Sequence, residues 1–184
     1  DWNEVQEEAL SCTACSLSET RTQVVFGDGD QQADWVVVGE APGKDEDLQG
    51  KPFVGRAGKL LNQMLLAVGL SRERVYICNT LKCRPPNNRD PQPDEIRQCR
   101  HFLDAQMRLL APKVILVVGR IAAQTLLQTQ TPIGQLRGKL QHYGEQNVPV
   151  VVTYHPAYLL RSPKSKRVAW QDLQLAYRVA KGLA

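Results

Sequence analysis

Four short runs of β-branched and other apolar residues constrain the fold of this chain more than any other feature of its sequence. They are Trp35–Gly39, Val75–Asn79, Val114–Gly119 and Val150–Tyr154. Each run is almost continuously apolar, which is typical of a strand buried on both faces of a sheet. The stretches between the runs carry apolar residues at helical spacing. This alternation predicts an α/β protein, a three-layer α/β/α sandwich with a central, four-stranded, mostly parallel sheet.

The helical spacing predicts helices over residues 60–68 and 96–110, over Arg120–Gln128, and from about Lys166 to Ala180. The chain of 184 residues contains no internal repeat and no low-complexity linker. We therefore expect a single domain over residues 1–184. No apolar run is long enough to span a bilayer, and no secretory leader opens the sequence. These features predict a cytoplasmic protein without a membrane partner.

The charge is distributed unevenly along the chain. Residues 1–50 carry twelve acidic and two basic side chains, whereas residues 155–184 carry six basic and one acidic. A basic C-terminal half fits a polyanionic partner such as DNA, because Lys and Arg neutralise phosphates and release counterions. The same distribution is also compatible with an ordinary solvated surface. Charge therefore permits a nucleic-acid partner without requiring one.

Loops rich in Gly, Pro and polar residues follow three of the predicted strands. These loops are residues 39–43, 82–89 and 155–158. Ligands bind at the carboxyl ends of the strands in open α/β sheets, so the three loops predict a site at one edge. His155 belongs to this set because it opens a His-Pro turn directly after a strand. We interpret His101 and His142 as ordinary surface or core histidines.

The first loop region, residues 39–58, contains five glycines and four neighbouring carboxylates. It matches neither the dinucleotide fingerprint nor the triphosphate-binding loop, and its acidic side chains would repel a phosphate. A carboxylate cluster is better suited to orienting water or stabilising a developing cation. The alternative is an acidic surface loop.

The five cysteines form an odd set without a secretory context, which favours metal or cofactor ligation over disulfides. Cys12 and Cys15 form a CxxC pair in a polar stretch, Cys83 lies in a loop, and Cys99 lies on a predicted helix. Four thiolates suffice for a [4Fe–4S] cluster. A Cys₄ zinc site is the alternative, although zinc sites more often use two CxxC pairs. Cys78, on an apolar strand, is interpreted as an inert buried thiol.

Four motifs occur in order: Gly39-Glu-Ala-Pro-Gly43, Gly50-Lys-Pro-Phe-Val-Gly55, Asn79-Thr-Leu-Lys-Cys-Arg-Pro-Pro86 and His155-Pro-Ala-Tyr158. Together with the cysteine pattern, they resemble the family 4 uracil-DNA glycosylases. The resemblance covers the chain from Cys12 to about Lys166. It implies a three-layer fold, a [4Fe–4S] cluster, and hydrolytic release of uracil from single- or double-stranded DNA, which leaves an abasic site.

The resemblance also implies roles for individual residues. Phe53 should stack on the extruded base, Asn79 should hydrogen-bond the uracil edge, and His155 should face the uracil O2. The turn is expected to line the pocket through Gly39, Glu40, Ala41, Pro42 and Gly43, and the cluster should be held by Cys12, Cys15, Cys83 and Cys99.

The catalytic carboxylate is a point of departure from the superfamily. Better-known branches carry a water-activating Asp where this chain has Ala41. We therefore expect Glu40 to act as the catalytic carboxylate, with Glu46 as the second choice.

A segment after His155 is expected to contact DNA. Leu159 and Leu160 suit a wedge into the base stack, and phosphate contacts behind it are assigned to Arg161, Lys164 and Lys166. We expect a nucleoid-associated monomer.

Three other functions remain open from the sequence. The first is a catalytically silent or differently specific DNA-binding module with a structural metal site. The second is an enzyme that stays covalently attached to its product, which is disfavoured because the loop Thr131–Leu140 contains no His nucleophile. The third is a redox role for the cluster, although no docking site for an electron partner is visible in the sequence.

Overall fold

A six-stranded sheet forms the centre of the computed structural model, which describes residues 1–184. Its strands lie in the order β1-β3-β2-β4-β6-β5. Their bounds are β1 Asp28–Gly29, β2 Trp35–Gly39, β3 Tyr76–Asn79, β4 Val114–Val118, β5 Gln141–Tyr143 and β6 Val148–Thr153. Strands β3, β2, β4 and β6 are mutually parallel, whereas β1 and β5 pair antiparallel at the two edges.

Nine α-helices surround the sheet, and three 3₁₀ turns lie among them. The helices are α1 Trp2–Leu10, α2 Leu17–Thr20, α3 Lys44–Gln49, α4 Arg56–Ala67, α5 Pro93–Leu110, α6 Arg120–Leu127, α7 Ile133–Leu136, α8 Pro156–Arg161 and α9 Lys166–Ala180. The 3₁₀ turns span Arg72–Arg74, Pro86–Asn88 and Pro163–Ser165. The longest helices are too short or too polar to cross a lipid bilayer.

Two separate apolar layers bury the two faces of the sheet. Successive strand residues point to opposite faces, so Val37 packs on one side and Val36 and Val38 on the other. Helices α4, α8 and α9 cover the Val37 side, and α5, α6 and α7 cover the opposite side. The prediction of a three-layer α/β/α sandwich is confirmed.

The expected sheet of four strands is extended by two edge strands. The four predicted strands form its parallel centre, and β1 and β5 add one antiparallel strand at each side. β1 contains only two residues, Asp28 and Gly29, and β5 is the largely polar segment Gln141–Tyr143. Neither carries the continuous apolar run of a strand buried on both faces, since an edge strand needs less apolar cover. The last predicted strand also begins two residues earlier, at Val148, where it pairs with Tyr143.

The parallel register aligns the carboxyl ends of the central strands. Gly39 at the end of β2 is paired with Asn79 at the end of β3, and Val118 in β4 is paired with Thr153 in β6. The residues that follow these strands therefore emerge side by side at one edge of the sheet, as expected for the ligand-binding edge of an open α/β sheet.

A buried ion pair fixes two segments near this edge. Asp172 on α9 is 1% exposed and accepts two hydrogen bonds from Arg137, at 3.0 and 2.8 Å. It also accepts one from the Thr153 hydroxyl at 2.8 Å. Asp172 thereby joins the end of β6 to the segment that follows α7.

We expect Asp172→Ala to lower the free energy of unfolding by about 3–5 kcal/mol, because it leaves the Arg137 charge and the Thr153 hydroxyl without a partner. Urea denaturation measures the loss. The matched control is Asp94→Ala, which removes an exposed pair with Arg97 and should cost less than about 1 kcal/mol. Equal losses in the two variants would contradict the structural role of Asp172.

Candidate active site and four-cysteine site

A pocket opens at the carboxyl edge of the sheet. The motif residues that line it are Glu40, Ala41, Pro42, Gly43, Glu46, Phe53, Asn79 and His155. Gly39 lies directly against two of them. The structure thus brings together residues that are separated by more than a hundred positions in the chain.

Gly39 is required by the close approach of two side chains. A Cβ atom at this position would lie 2.5 Å from Asn79 Oδ1 and 2.6 Å from Phe53 Cζ. Both distances are far below van der Waals contact. Asn79 and Phe53 are themselves buried, at 2% and 7% exposure. The absence of a side chain at Gly39 therefore lets an amide and an aromatic ring meet at the floor of the pocket.

Phe53 is held in an unusual backbone conformation by contacts that the sequence did not suggest. Its φ is +52°, in the left-handed region that non-glycine residues seldom adopt. Arg72 donates from Nη1 to the Phe53 carbonyl at 2.6 Å and from Nη2 to the Pro52 carbonyl. Gly58 at the start of α4 leaves room for the same Phe53 carbonyl. Arg72 is thus a positioning residue for the aromatic ring, and no motif marked it.

His155 is a neutral donor in this pocket. Its Nδ1 accepts a hydrogen bond from the Ala157 N–H at 3.0 Å, so in the neutral ring the proton resides on Nε2. Burial, with a smaller contribution from the nearby charge of Arg161, lowers the pKa of His155 to about 4, although Glu46 opposes the shift. The imidazole ring stacks on Phe53 with centroids 5.7 Å apart.

Glu40 is a carboxyl group without a partner. Its Oε1 atom is buried and makes no hydrogen bond. Burial, with a smaller contribution from the charge of Asp90, raises the pKa of Glu40 to about 7, although Arg120 opposes the shift. Its backbone is fixed, because the Glu40 carbonyl accepts from the Thr80 hydroxyl at 2.6 Å. A carboxyl group with a pKa near neutrality is able to exchange a proton at physiological pH.

Glu46 has a different environment from Glu40. Its two carboxylate oxygens accept hydrogen bonds from three main-chain N–H groups, those of Gly43, Val54 and Gly55, at 2.9–3.2 Å. These bonds tie the first turn of α3 to the loop that follows Phe53. The structure therefore places Glu46 as a loop-holding acceptor, and Glu40 is the carboxyl of the two expected candidates with an unused oxygen.

The segment expected to contact DNA divides between the core and the surface. Leu159 is 1% exposed and packs among the residues that cover one sheet face, so the expectation that it enters a base stack is corrected. Leu160 is 36% exposed. Arg161, Lys164 and Lys166 are exposed, and Arg161 also lines the pocket. Four basic residues to which the sequence analysis gave no role line the pocket as well: Lys44, Arg56, Arg89 and Arg120.

Four of the five thiols surround a second cavity. Its lining includes Cys12, Cys15, Cys83 and Cys99. Cys78 is absent from this lining and lies fully buried within β3. The structure thus brings together the four cysteines that the sequence analysis grouped and separates the fifth.

Two N–H donors point at sulfur atoms in this cavity. Arg21 donates from Nη1 to Cys83 Sγ at 3.1 Å, and the Lys82 main-chain N–H donates to Cys99 Sγ at 3.4 Å. Burial raises the pKa of Cys99 to about 11, and the Lys82 charge acts in the opposite direction. N–H groups directed at sulfur are a common feature around metal-bound thiolates.

No three His, Cys, Asp or Glu residues lie close enough together to hold a single metal ion. A tetrahedral zinc ion with bonds of about 2.3 Å requires sulfur atoms about 3.8 Å apart. In a [4Fe–4S] cluster each thiolate binds a different iron, so the sulfurs lie farther apart. Four thiols around one cavity with sulfur-directed donors are compatible with a metal group held by four thiolates.

The fold is consistent with that of a known superfamily. Residues 26–174 match the family model described as the uracil DNA glycosylase superfamily. The chain is 47% identical over 179 residues to the type-4 uracil-DNA glycosylase of Archaeoglobus fulgidus, covering 94% of this chain and 89% of that protein. It is 44% identical over 176 residues to the type-4 enzyme of Thermotoga maritima, covering 94% and 91%. The chain belongs to the type-4 family of uracil-DNA glycosylases.

We expect His155 to stay neutral from pH 8 down to about pH 5, because its pKa is about 4. NMR titration of the ring protons tests this, with His155→Gln identifying the resonance. The folded protein binds this proton less readily than the unfolded chain does. His155 therefore contributes stability above about pH 6.5 that is lost as the pH falls toward 4. A midpoint near 6.5 in the folded protein would contradict the buried neutral ring.

Proposed function

We propose that this chain is a DNA-repair glycosylase that hydrolyses the N-glycosidic bond of deoxyuridine in DNA, releasing uracil and leaving an abasic site. The observation that carries the proposal is the meeting of Phe53, Asn79 and a neutral His155 in one pocket. These three groups supply stacking, edge recognition and a hydrogen-bond donor. Membership of the type-4 family supports the same conclusion.

The pocket selects an extruded base. A stacked base cannot be cut, so the nucleotide must be flipped out of the DNA. Phe53 stacks on it, a contact worth about 1–3 kcal/mol per base. The Asn79 amide matches the O4 acceptor and N3–H donor of uracil, whereas cytosine presents a donor at the same edge. Because Asn79 is almost fully buried, a mismatched base leaves polar groups unpaired and is rejected.

The leaving group is stabilised by His155. Cleavage of the glycosidic bond moves the bonding electron pair onto uracil, with much of the negative charge at O2. The His155 Nε2–H makes no hydrogen bond within the protein and is available to donate to that oxygen. A preorganised donor in a site shielded from water is effective where charge develops, as in an oxyanion hole.

The sugar is attacked with the help of Glu40. It becomes cationic as uracil departs, and a carboxylate nearby stabilises it and orients the attacking water. Glu40 takes this role because its Oε1 is unpaired and its pKa is about 7. A base with a pKa near the operating pH accepts a proton from water most efficiently. Glu46 acts indirectly by holding the Gly43 turn and the loop after Phe53.

The DNA backbone is bound by basic residues around the mouth of the pocket. We assign phosphate contacts to Arg161, Lys164 and Lys166, and a wedge in the base stack to Leu160. The partner is uracil-containing DNA, and the chain acts on it as a monomer in the cytoplasm.

The four-cysteine cavity is proposed to hold a [4Fe–4S] cluster through Cys12, Cys15, Cys83 and Cys99. The segment between the last two of these cysteines includes Pro85 and Arg89, which line the pocket. The bound group would therefore brace a pocket loop at one end and the N-terminal segment at the other. No step of glycosidic hydrolysis requires it.

We expect the protein to release uracil from single- and double-stranded oligonucleotides, producing strand breaks after hot alkali, and to leave thymine oligonucleotides intact. Asn79→Ala should lower the single-turnover rate about 100-fold or more, since one recognising group is lost at a preorganised site. Asn3→Ala, an exposed change on α1, is the matched control and should match the parent.

Two other outcomes are informative. DNA binding without strand breaks, from folded protein that retains its metal, would support the silent binding module. This alternative is tested because Ala41 stands where better-known branches of the superfamily carry a water-activating Asp. A covalent protein–DNA adduct would support the enzyme that retains its product.

For the cysteine site, we expect Cys12→Ala and Cys99→Ala to lose most of the iron, the inorganic sulfide and the visible absorption of the anaerobically purified protein. Cys78→Ala should retain them, because this thiol lies outside the cavity. Metal and sulfide analysis measures all three variants. Zinc without sulfide in the parent would overturn the cluster assignment.

A further inference from the structure

Lys82 is buried in a way that its position in a polar loop does not explain. It is 1% exposed, and it is the largest of the fully buried side chains by volume. It forms no salt bridge; Nζ instead donates to the Asn79 carbonyl at 2.7 Å and to Gln106 Oε1 at 2.6 Å. Burying an ammonium group whose direct hydrogen-bond partners are both neutral is costly. A role for Lys82 beyond packing would account for this cost.

The main chain of Lys82 belongs to the four-cysteine site. Its N–H donates to Cys99 Sγ at 3.4 Å, and the next residue is Cys83. Its carbonyl accepts from the Val25 N–H at 2.8 Å. One residue therefore contacts a thiol through its backbone and the last residue of β3 through its side chain.

The contact of Lys82 with Asn79 involves the backbone of a residue that lines the pocket. Asn79 is the last residue of β3 and is paired with Gly39 in the strand register. The Lys82 ammonium group donates a hydrogen bond to the Asn79 carbonyl and so restrains the end of the strand. Gln106 holds the ammonium in turn, and its own Nε2 donates to the Phe26 carbonyl at 3.0 Å. This connected set of hydrogen bonds restrains the backbone from which the Asn79 amide projects into the pocket.

We propose that Lys82 is a positioning residue that joins the four-cysteine site to the base-recognition residue Asn79, an inference that rests on the proposed function. Its backbone and the following Cys83 fix it to the thiols, and its side chain orients Asn79. The positive charge of Lys82 also compensates the negative charge that four metal-bound thiolates bring into this part of the protein. Loss of the side chain disturbs both sites together.

The experiment compares Lys82→Met, which keeps the length of the side chain and removes the charge and the donors, with the parent. We expect the single-turnover rate of uracil release to fall about 10-fold, since a displacement of the recognising group well below 1 Å has an effect of this order. We also expect iron to be lost to a chelator several-fold faster. Leu110→Ala, a cavity at the far end of α5, is the control for lost stability and should change neither quantity.

A double-mutant cycle separates positioning from general damage. If Lys82 acts through Asn79, Lys82→Met should have little further effect on the rate in an Asn79→Ala background. Lys82→Arg, which keeps the charge and donors, should recover part of the rate and of the iron retention. If Lys82→Met does not fold, Lys82→Gln takes its place, because it removes the charge and keeps N–H donors on a side chain one atom shorter. Additive rate effects, or parent-like rate and iron retention, overturn the proposal.

The proposal and the proposed function fail in different ways. A parent protein that does not release uracil refutes the function. The Lys82 link is then judged from iron retention and from the NMR signals of the Asn79 side-chain amide, assigned with Asn79→Ala. Unchanged signals and unchanged iron retention in Lys82→Met would refute the link itself.

Discussion

The parallel pairing of β2 with β3 is the interaction on which the pocket depends. Its register sets Gly39 beside Asn79 at the ends of the two strands. A shift of one residue would turn the Asn79 side chain toward the opposite face of the sheet, because strand side chains alternate with a period of two. Since Gly39 has no side chain, the Phe53 ring and the Asn79 amide can approach the same point. The proposed recognition of a base edge by Asn79 thus depends on backbone hydrogen bonds in the sheet.

Burial in the pocket shifts the pKa values of Glu40 and His155 in opposite directions. The pKa of Glu40 is raised to about 7 and that of His155 is lowered to about 4, so in both cases burial favours the uncharged form. A neutral His155 with its proton on Nε2 is able to donate a hydrogen bond, and Glu40 is able to accept a proton near neutral pH. Two groups with pKa values pushed apart by their environment are a frequent arrangement for acid–base chemistry.

The sequence predicted the parts of the fold and site that have a strong local pattern. The four central strands were found because each is continuously apolar, and the pocket followed from the loops after them. The edge strand Gln141–Tyr143 was missed because it is short and polar. Leu159 and Leu160 are adjacent and chemically identical, and only the rotational position of α8 sends Leu159 into the core. Arg72 has no local signal at all, since its role depends on the Phe53 carbonyl reached through tertiary structure.

The superfamily match begins at residue 26, so Cys12 and Cys15 lie outside the part of the fold that the superfamily shares. Protein contacts already attach this N-terminal segment to the domain. Trp2 packs edge-on against Phe26 and Tyr76, and the Asp47 carboxylate accepts from the main chain at residues 22 and 23. A metal group bound by all four cysteines would therefore add a restraint to a segment that is already docked. Its removal should loosen the N-terminal segment and the loop after Cys83 while the parallel sheet, whose layers contain none of the four thiols, keeps its packing.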